Sequence, residues 1–353
     1  MDLALYCPES GYYEKEADNV GKGGDFYTSP SVGPLFGELL GWQFAQWLDT
    51  DAGASQPVGG RVQIVEAGAH RGVLARDLLS WFRDHRADLF ARLDYWILEP
   101  SPRRQERQAE LLKDFRDQTK WATDWASLRA IRGIIFSNEL LDAMPVHRLG
   151  WDAQRRTWFE WGVANRDGRF AWEAMPSDGV AWESTYPHLR LSDELKAIMP
   201  DGFSTEVCPA AADWWRNAAE NLSWGKLITF DYGLEMEEFL LPQRQHGTLR
   251  SYRDHRVVDD VLADPGRQDI TAHVNFSAIQ TAGESAGLKT ELFETQGRFL
   301  TGLLAQRHKD PDLLANWTPQ RARRFQTLTH PEHLGRAFRV LVQARPRHGT
   351  GAL

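Results

Sequence analysis

Two glutamates and two glycines stand at the ends of predicted strands, where a cofactor could bind. In "RVQIVEAGAHRGVLARDLL", Glu66 ends the strand, Gly68 and Gly72 frame a turn, and an amphipathic helix follows. Glu99 ends the next apolar strand, "DYWILE". Ligands of open α/β sheets bind beyond the carboxyl ends of such strands. Either glutamate alone could be a solvated strand end, but acids at two successive strand ends favour a cofactor site.

The spacing of Gly68 and Gly72 distinguishes three kinds of cofactor loop. A dinucleotide loop needs Gly-x-Gly-x-x-Gly and a phosphate loop ends in Gly-Lys-Ser/Thr, and the segment has neither pattern. A loop for S-adenosylmethionine (SAM) needs a glycine turn that lets the backbone approach the amino-acid part, and a carboxylate near its ammonium group. Glu66 fits that carboxylate, and Glu99 is placed to accept hydrogen bonds from the ribose hydroxyls. We therefore predict SAM as the cofactor.

Three polar side chains follow the fourth predicted strand. They are Asn138, Glu139 and Asp142 in "FSNELLDAMPV". A helix N-cap would account for Asn138 but not for Glu139. Polar groups that leave a buried strand at its carboxyl end are typical of a functional site. The N-terminal segment "KGGDFYTSP" adds Asp25 and Thr28, although in isolation it reads as a loop with a helix-capping signal.

The composition excludes several classes of function. The 353 residues are 42% hydrophobic and 25% charged, which is enough for a large core. A net charge of −8 argues against nucleic acid as the main partner. Cys7 and Cys208 form no CxxC pair, so we expect neither a disulfide framework nor a metal site. No apolar run approaches the ~20 residues of a membrane span, and no secretory leader is recognisable, so we predict a cytoplasmic protein without membrane insertion.

The order of the elements predicts an α/β fold. Seven apolar strand candidates alternate with helices, and they begin at "RVQIV", "DYWIL", "TKWA", "IRGII", "GKLITF", "LKTELF" and "RAFRVLV". Buried parallel strands read as continuous apolar runs, so we expect one doubly wound, seven-stranded, mostly parallel sheet. A hairpin pattern centred on Asp167-Gly168, followed by a helix over residues 210–222, interrupts this alternation.

These patterns also predict a domain organisation. Residues 61–150 and 223–346 would form the SAM-binding, Rossmann-like core. Residues 151–222 would be an inserted α+β region, a lid over the active site that includes the hairpin. Residues 1–60 would be an N-terminal segment of helix and loop that completes the active site.

Nine segments, in order along most of the chain, resemble the MidA family of class I SAM-dependent methyltransferases. They are "LYCPESGYY", "GDFYTSP", "FGELLG", "VEAGAHRGVLARDLL", "ILEPSPRRQERQ", "SNELLDAMPV", "FDYG", "HGTLRSYRDH" and "DITAHVNFSAI". The resemblance implies a Rossmann-like class I methyltransferase fold. The family's mitochondrial member makes symmetric dimethylarginine on a subunit of respiratory complex I, which implies arginine methylation while leaving the substrate of this chain open.

Three departures from the family pattern fall near the predicted site. The family's first loop usually reads Gly-Pro-Gly, whereas this chain has Gly68-Ala69-His70. The methyl group of Ala69 would weaken SAM binding if the backbone there needed a positive φ or a close approach to the cofactor. Ser31 and Asn275 stand where the family often has a carboxylate, so two charges are lost.

An arginine acceptor, implied by the resemblance, defines the expected roles of the site residues. Its guanidinium has a pKa above ~12, and a carboxylate that binds it through two hydrogen bonds can aim one nitrogen at the methyl group. We expect Glu139 to be the principal carboxylate, helped by Asp142 or Asp25, and Asn138 to flank the transferable methyl group. The other expected site residues are Thr28, Asp231 and Tyr232 for substrate, Asp124 and Trp125 for adenine, and His273 as a proton acceptor or substrate ligand.

Three hypotheses for the function remain at this point. The chain is a protein arginine methyltransferase, a methyltransferase for another acceptor, or an assembly factor that kept the fold and lost turnover. Retention of the acids together with Asn138 argues against complete decay. An acidic protein with an aromatic insertion favours a protein substrate with an exposed arginine in a basic segment. The sequence leaves open whether two copies form a homodimer.

Overall fold

The computed structural model covers the whole chain and describes most of its residues. The described residues are 1–15, 28–52, 60–176, 182–253, 256–258, 260–307 and 317–347. Asp25, one of the predicted site residues, lies outside them. None of the helices in these ranges combines the length and the apolar character that crossing a membrane requires.

Helices and strands alternate over most of the described chain. The helices are α1 (Asp2–Tyr6), α2 (Leu35–Ala52), α3 (Val73–His85), α4 (Ala87–Phe90), α5 (Pro102–Leu111), α6 (Trp182–Thr185), α7 (Asp193–Ile198), α8 (Pro209–Asn221), α9 (Met236–Phe239), α10 (Phe276–Ser285), α11 (Gln296–Gln306), α12 (Pro319–Thr329) and α13 (Leu334–Ala337). The strands are β1 (Val62–Ala67), β2 (Leu93–Leu98), β3 (Thr119–Ala122), β4 (Ile131–Asn138), β5 (His147–Asp152), β6 (Thr157–Arg166), β7 (Arg169–Ala174), β8 (Ser204–Val207), β9 (Leu222–Leu234), β10 (Arg250–Arg253), β11 (Arg256–Val258), β12 (Asp269–Thr271), β13 (Val274–Asn275), β14 (Lys289–Thr295) and β15 (Phe338–Arg345).

The seven predicted strands form one sheet, in the order β14-β15-β9-β4-β1-β2-β3. Strands β9, β4, β1, β2 and β3 are mutually parallel, and β15 runs antiparallel to both of its neighbours. This confirms the predicted α/β fold with a mostly parallel sheet. The carboxyl ends of β1, β2, β3, β4 and β9 therefore meet at one edge, where the predicted cofactor residues stand.

The described residues group into two compact units. The sheet unit comprises Asp18–Leu141, Trp214–Tyr232 and Gln280–Leu353, and the hairpin unit comprises Met1–Ala17, Asp142–Asp213 and Gly233–Ile279.

The sheet unit has its core between the sheet and the helices that cover it. Helix α2 contributes Phe44, whose ring meets Phe136 of β4 edge-on with ring centroids 5.3 Å apart. It also contributes Phe36, whose ring centroid lies 5.4 Å from that of Phe230 of β9. Both contacts bury aromatic area against the central strands, and such pairs add about 1 kcal/mol beyond the burial itself. Helix α2 thus belongs to the cofactor-binding half of the chain.

The hairpin unit contains two antiparallel sheets, β7-β6-β5-β8 and β11-β10-β12. The predicted hairpin is present between β6 and β7. Its turn residues Asp167 and Gly168 have φ values of +50° and +82°, and Arg166 pairs with Arg169 across the turn. Positive φ at both central positions is the geometry that favours Asp-Gly in a two-residue hairpin. A core of its own, with Trp151 as its largest fully buried side chain, supports these strands.

The two units divide the chain differently from the predicted domains. Residues 142–150 fall in the hairpin unit because β5 pairs with β6 and β8. Residues 233–279 fall there as well, because β10, β11 and β12 form a sheet of their own. Residues 28–52 fall in the sheet unit, where α2 covers the central strands. These groupings follow from contacts between elements that are far apart in the sequence, and the local hydrophobic periodicity does not predict such contacts.

Candidate active site

The loop after β1 takes three positive φ values. They fall on Gly68 (+72°), His70 (+48°) and Gly72 (+81°), and Gly72 caps the start of α3. A Cβ added at Gly68 would lie 2.9 Å from Leu140 Cδ1 and 3.3 Å from Leu140 Cβ, so glycine avoids crowding Leu140 as well as the backbone strain of a positive φ. Ala69 is buried and is not among the residues with positive φ. The strained conformation that a Gly-Pro-Gly loop would leave to glycine is therefore adopted here by His70.

Glu66 is buried in β1 and is not a solvated strand end. Its side chain is 3% exposed, and its Oε2 accepts a 2.6 Å hydrogen bond from the Tyr95 hydroxyl of β2. Burial raises the pKa of Glu66 from 4.5 to about 7, against the opposing effect of the Tyr95 hydrogen bond. A buried carboxyl held by the hydrogen bond from Tyr95 lowers the stability of the fold, and such a cost is typical of a residue kept for function.

Glu99 follows β2 directly and is equally buried. Its Oε1 accepts hydrogen bonds from Ser101 N and from Arg104 Nε, each at 2.9 Å. Burial raises the pKa of Glu99, although the Arg104 guanidinium and the hydrogen bonds oppose this shift. Its Oε2 lies 3.3 Å from Gln108 Nε2. The acid is thus oriented at the carboxyl end of β2, as a ribose-binding carboxylate would have to be.

Asn138 is the last residue of β4, and Glu139 begins the turn that follows the strand. Glu139 has a φ of +54°, a left-handed conformation that costs of order 1 kcal/mol for a residue with a Cβ. Its Oε1 accepts hydrogen bonds from Asn138 Nδ2 at 2.9 Å and from Ser29 N at 3.3 Å. Asn138 Oδ1 is buried and has no hydrogen-bond partner among the described residues. Backbone strain beside a held carboxylate is typical of a functional site.

Asp231 holds the same turn from the neighbouring strand. The residue is fully buried, and its Oδ2 accepts hydrogen bonds from Leu140 N at 3.2 Å and Leu141 N at 2.9 Å. One residue earlier, Phe230 O accepts a hydrogen bond from Glu139 N. These bonds offset the strain at Glu139 and fix the direction of its side chain. The structure thus gives Asp231 a positioning role, and its expected contact with substrate stays a prediction.

The remaining predicted residues of the sheet unit lie at strand ends or in capping positions. Thr28 caps the 3-10 turn Ser29–Val32 and accepts a hydrogen bond from Ser31 N. Asp124, after β3, caps the turn Trp125–Ser127 and is exposed. The rings of Trp125 and Trp214 are 5.5 Å apart, and those of Tyr232 and Phe338 are also 5.5 Å apart. Their expected contacts with adenine and substrate stay predictions.

Two predicted catalytic residues belong to the hairpin unit. Asp142 is buried, and its backbone carbonyl accepts a hydrogen bond from Ala272 N. His273, the residue after Ala272, donates its backbone N–H to Thr248 Oγ1. Burial, with the positive charges of Arg244 and Arg250, lowers the pKa of His273 to about 4. An imidazole with so low a pKa is neutral at physiological pH and is a poor proton acceptor, which argues against that role.

Sequence reasoning missed three residues that hold the predicted ones in place. Ser29 donates its N–H to Glu139, Tyr95 donates its hydroxyl to Glu66, and Gln108 donates to Glu99. Ser29 and Gln108 stand inside the quoted family segments, and Tyr95 lies near the start of β2, between Asp94 and Trp96. Because Asp94 and Tyr95 both stand near the start of β2, polarity within this strand did not single out Tyr95.

Comparison with known proteins finds relatives both in sequence and in fold. The sequence model of a family described as S-adenosyl-L-methionine-dependent methyltransferases matches residues 39–294. Mitochondrial protein arginine methyltransferase NDUFAF7 of Xenopus laevis is 28% identical over 331 residues, which cover 81% of this chain and 66% of that protein. NDUFAF7 of Danio rerio is 28% identical over 377 residues, which cover 98% of this chain and 83% of that protein. The chain therefore spans just under two thirds of the first relative's length and about five sixths of the second's.

Two crystal structures from Burkholderia thailandensis share the fold over nearly the whole chain. The first, described as a methyl transferase bound to S-adenosyl-homocysteine, has a TM-score of 0.83 and 31% sequence identity. The alignment covers 99% of this chain and 87% of that one. The second, a native structure from the same superfamily, has a TM-score of 0.78 at 31% identity, covering 99% and 86% of the two chains.

The predicted cytoplasmic location is contradicted by these comparisons. The curated relatives from Xenopus laevis, Danio rerio and Homo sapiens are named as mitochondrial proteins. The prediction rested on finding no membrane-spanning run and no recognisable secretory leader in the sequence, and neither observation distinguishes the cytoplasm from the mitochondrion. The cytoplasmic location is therefore withdrawn.

The family match supports both the predicted cofactor and the predicted reaction class. The matched residues include every predicted cofactor-binding residue of the sheet unit, from Glu66 to Asn138. SAM is the methyl donor, and the chain is a SAM-dependent methyltransferase. With the match extending over more than half of its length, the chain belongs to the MidA family of class I SAM-dependent methyltransferases.

Proposed function

We propose that this methyltransferase modifies arginine side chains of a protein substrate, with Glu139 as the carboxylate that binds the guanidinium. The observation that carries the proposal is the geometry of Glu139. Its backbone is held in the left-handed region by bonds from β9, and its Oε1 is oriented by Asn138 Nδ2 and Ser29 N. A carboxylate fixed in this way can orient a planar, permanently charged partner at little further cost in entropy.

The residues at the sheet edge fit SAM. Glu66 and Glu99 are buried carboxylates after β1 and β2, and their placement suits the ammonium group and the ribose hydroxyls of the cofactor. Gly68 and Gly72 supply the turn between them and α3. When bound, SAM supplies an activated methyl group on a sulfonium whose departure leaves a neutral thioether.

Arginine makes a specific demand on the protein. Its guanidinium is a poor nucleophile because it stays protonated, so the enzyme must align one nitrogen with the methyl carbon. In the proposed reaction a nitrogen–carbon bond forms, the carbon–sulfur bond breaks, and one N–H proton is lost. We assign Glu139 to hold the guanidinium and to accept that proton. Carboxylate binding with proton acceptance contributes roughly 10²- to 10⁴-fold in rate.

The curated relatives support arginine as the acceptor, because NDUFAF7 of Xenopus laevis and Danio rerio are named protein arginine methyltransferases. The net charge of −8 favours a basic, arginine-bearing segment in the substrate protein. Asp142, Asp25, Thr28 and Tyr232 stay predicted contributors. A homodimer also stays a prediction, which light scattering during size-exclusion chromatography tests directly.

The variant Glu139→Gln tests the role of this carboxylate. It keeps the shape of the side chain and removes the charge, so we expect methyl transfer to proteins of a hypomethylated extract to fall at least about 100-fold. SAM affinity, measured by calorimetry, should stay within about tenfold of the native value, since the cofactor is held elsewhere.

Glu220→Gln is the matched control, because Glu220 is an exposed glutamate on α8 of the same unit. It should leave both methyl transfer and SAM affinity unchanged. An equal loss of SAM affinity and transfer in Glu139→Gln would place Glu139 at the cofactor and refute the assigned role. Transfer at the native rate would refute the proposal for Glu139 altogether.

A further inference from the structure

Gln108 is a fully buried polar side chain on a helix that is otherwise largely exposed. It is 0% exposed and is the buried residue of α5. A buried primary amide without partners would cost several kcal/mol, so its hydrogen bonds carry its place in the fold. Both ends of the amide are engaged: Nε2 donates to His70 O at 2.9 Å, and Oε1 accepts from Trp121 Nε1 at 2.9 Å.

These partners determine which way the amide points. The indole N–H of Trp121 can only donate, and the carbonyl of His70 can only accept. In the reverse orientation, the amide N–H groups would face the indole N–H of Trp121, and the amide oxygen would face the carbonyl oxygen of His70. Nε2 therefore faces His70 O and also lies 3.3 Å from Glu99 Oε2.

The three partners belong to three neighbouring strands. His70 lies in the loop after β1, Glu99 follows β2, and Trp121 lies on β3. The aliphatic stem of Gln108 also borders the loop, since a Cβ added at Gly72 would lie 3.6 Å from Gln108 Cγ. One side chain thus links the glycine loop to the acid after the next strand.

His70 is the point in the loop where such a link matters most. It carries a positive φ of +48° without being glycine, so its peptide needs outside support to stay in that conformation. Gln108 provides a hydrogen bond to the carbonyl of that residue. The other oxygen of Glu99, Oε1, is oriented by Ser101 N and Arg104 Nε, whereas Oε2 lies within hydrogen-bond distance of Gln108 Nε2.

We propose that Gln108 is a positioning residue for the cofactor, which sets the glycine loop and the Glu99 carboxylate at a fixed separation. It acts through His70 and Glu99 and does not itself react. The inference rests on the proposed placement of the cofactor ribose at Glu99, and it is independent of the acceptor being arginine.

Calorimetric titration with S-adenosyl-homocysteine tests this role in the full chain. Gln108→Met keeps the volume of the side chain and removes its amide, and it should weaken binding about tenfold or more, since at least one oriented hydrogen bond is lost on each side. Gln105→Met is the matched control. Gln105 is a glutamine on the same helix that donates to the backbone carbonyl of Glu99 and not to its carboxylate. We expect Gln105→Met to change the affinity less than about threefold.

A second variant gives a readout that loss of stability alone would not produce. In Gln108→Glu the new carboxyl faces Glu99 and the carbonyl of His70, where only its protonated form can donate a hydrogen bond. The ratio of variant to native dissociation constants should therefore rise about tenfold or more between pH 6 and pH 8.5.

The proposal is overturned if Gln108→Met binds like the native chain, if Gln105→Met weakens binding equally, or if the Gln108→Glu ratio is independent of pH. Glu99→Gln separates this outcome from a failure of the cofactor placement. If Glu99→Gln binds with native affinity, the ribose is not at Glu99, and both proposals about that edge fail. If Glu99→Gln weakens binding and the Gln108 variants do not, only the role of Gln108 fails.

Discussion

Replacing Glu66 by glutamine should stabilise the chain at high pH, although Glu66 stands in the cofactor site. The carboxyl is 3% exposed, and burial raises its pKa from 4.5 to about 7. Between these pH values the unfolded chain has lost the proton while the native state keeps it. The native state is therefore progressively destabilised as the pH rises from about 4.5 to about 7, and the penalty stays constant above that.

The size of the penalty follows from the two pKa values. They differ by about 2.5, which at about 1.36 kcal/mol per pKa unit corresponds to about 3 kcal/mol above pH 7. At pH 5 Glu66 is mostly ionised in the unfolded chain and still protonated in the native state, but the pH is only slightly above 4.5, so the penalty is about 1 kcal/mol. Glutamine does not titrate and can still accept the Tyr95 hydrogen bond. The stability difference between Glu66→Gln and the native chain should thus grow by about 2 kcal/mol from pH 5 to pH 8.

Urea unfolding at pH 5, 6, 7 and 8 measures this difference, with Glu220→Gln, at an exposed position, measured alongside as the control. Calorimetry on the same samples should show weaker SAM binding by Glu66→Gln, because the carboxylate near the ammonium group is gone. A stability difference that does not change with pH would mean that Glu66 ionises as an exposed glutamate does. That result would refute the account of Glu66 as a residue kept for function at the expense of stability.

Three further substitutions, one of them a control, test the glycine loop and the histidine. Gly68→Ala and Gly168→Ala both place a Cβ on backbone with positive φ, but only at Gly68 does the new atom meet a side chain, Leu140, whereas nothing lies within 4 Å at Gly168. Measured by urea unfolding, Gly168→Ala should lower the free energy of unfolding by about 1 kcal/mol, and Gly68→Ala should lower it further. Calorimetry should show a lower SAM affinity in Gly68→Ala alone. Equal losses of stability in the two variants would contradict the crowding at Leu140. Because the pKa of His273 is lowered to about 4, His273→Gln should keep the native shape of the pH–rate profile from pH 6 to pH 9. If the native profile had an inflection near pH 6.5 that disappeared in His273→Gln, His273 would exchange a proton in the reaction.

The sequence was sufficient for the features that depend on local pattern. Strands β1 and β4 read as apolar runs because both of their faces are covered, and the Asp167-Gly168 hairpin follows from the positive φ that its turn requires. Glu66 and Glu99 were recognisable because an acid is unusual at the end of a buried strand.

The features that were missed depend on contacts between distant segments. The role of Gln108 needs His70, Glu99 and Trp121, which come from three separate strand ends. The low pKa of His273 depends first on its burial and then on the charge of Arg244, 29 positions earlier in the sequence. The extent of the hairpin unit likewise depends on which strands pair across long separations. Hydrophobic periodicity and residue spacing carry no information about contacts between distant segments.

Identification of the methylated residue tests the central claim most directly. The native chain and Glu139→Gln are incubated with methyl-labelled SAM and a hypomethylated protein extract, and the labelled proteins are hydrolysed to amino acids. The account predicts that the label appears as methylarginine with the native chain and is absent with Glu139→Gln. Label on another amino acid or on a small molecule, or no transfer by a chain that binds SAM, would contradict it.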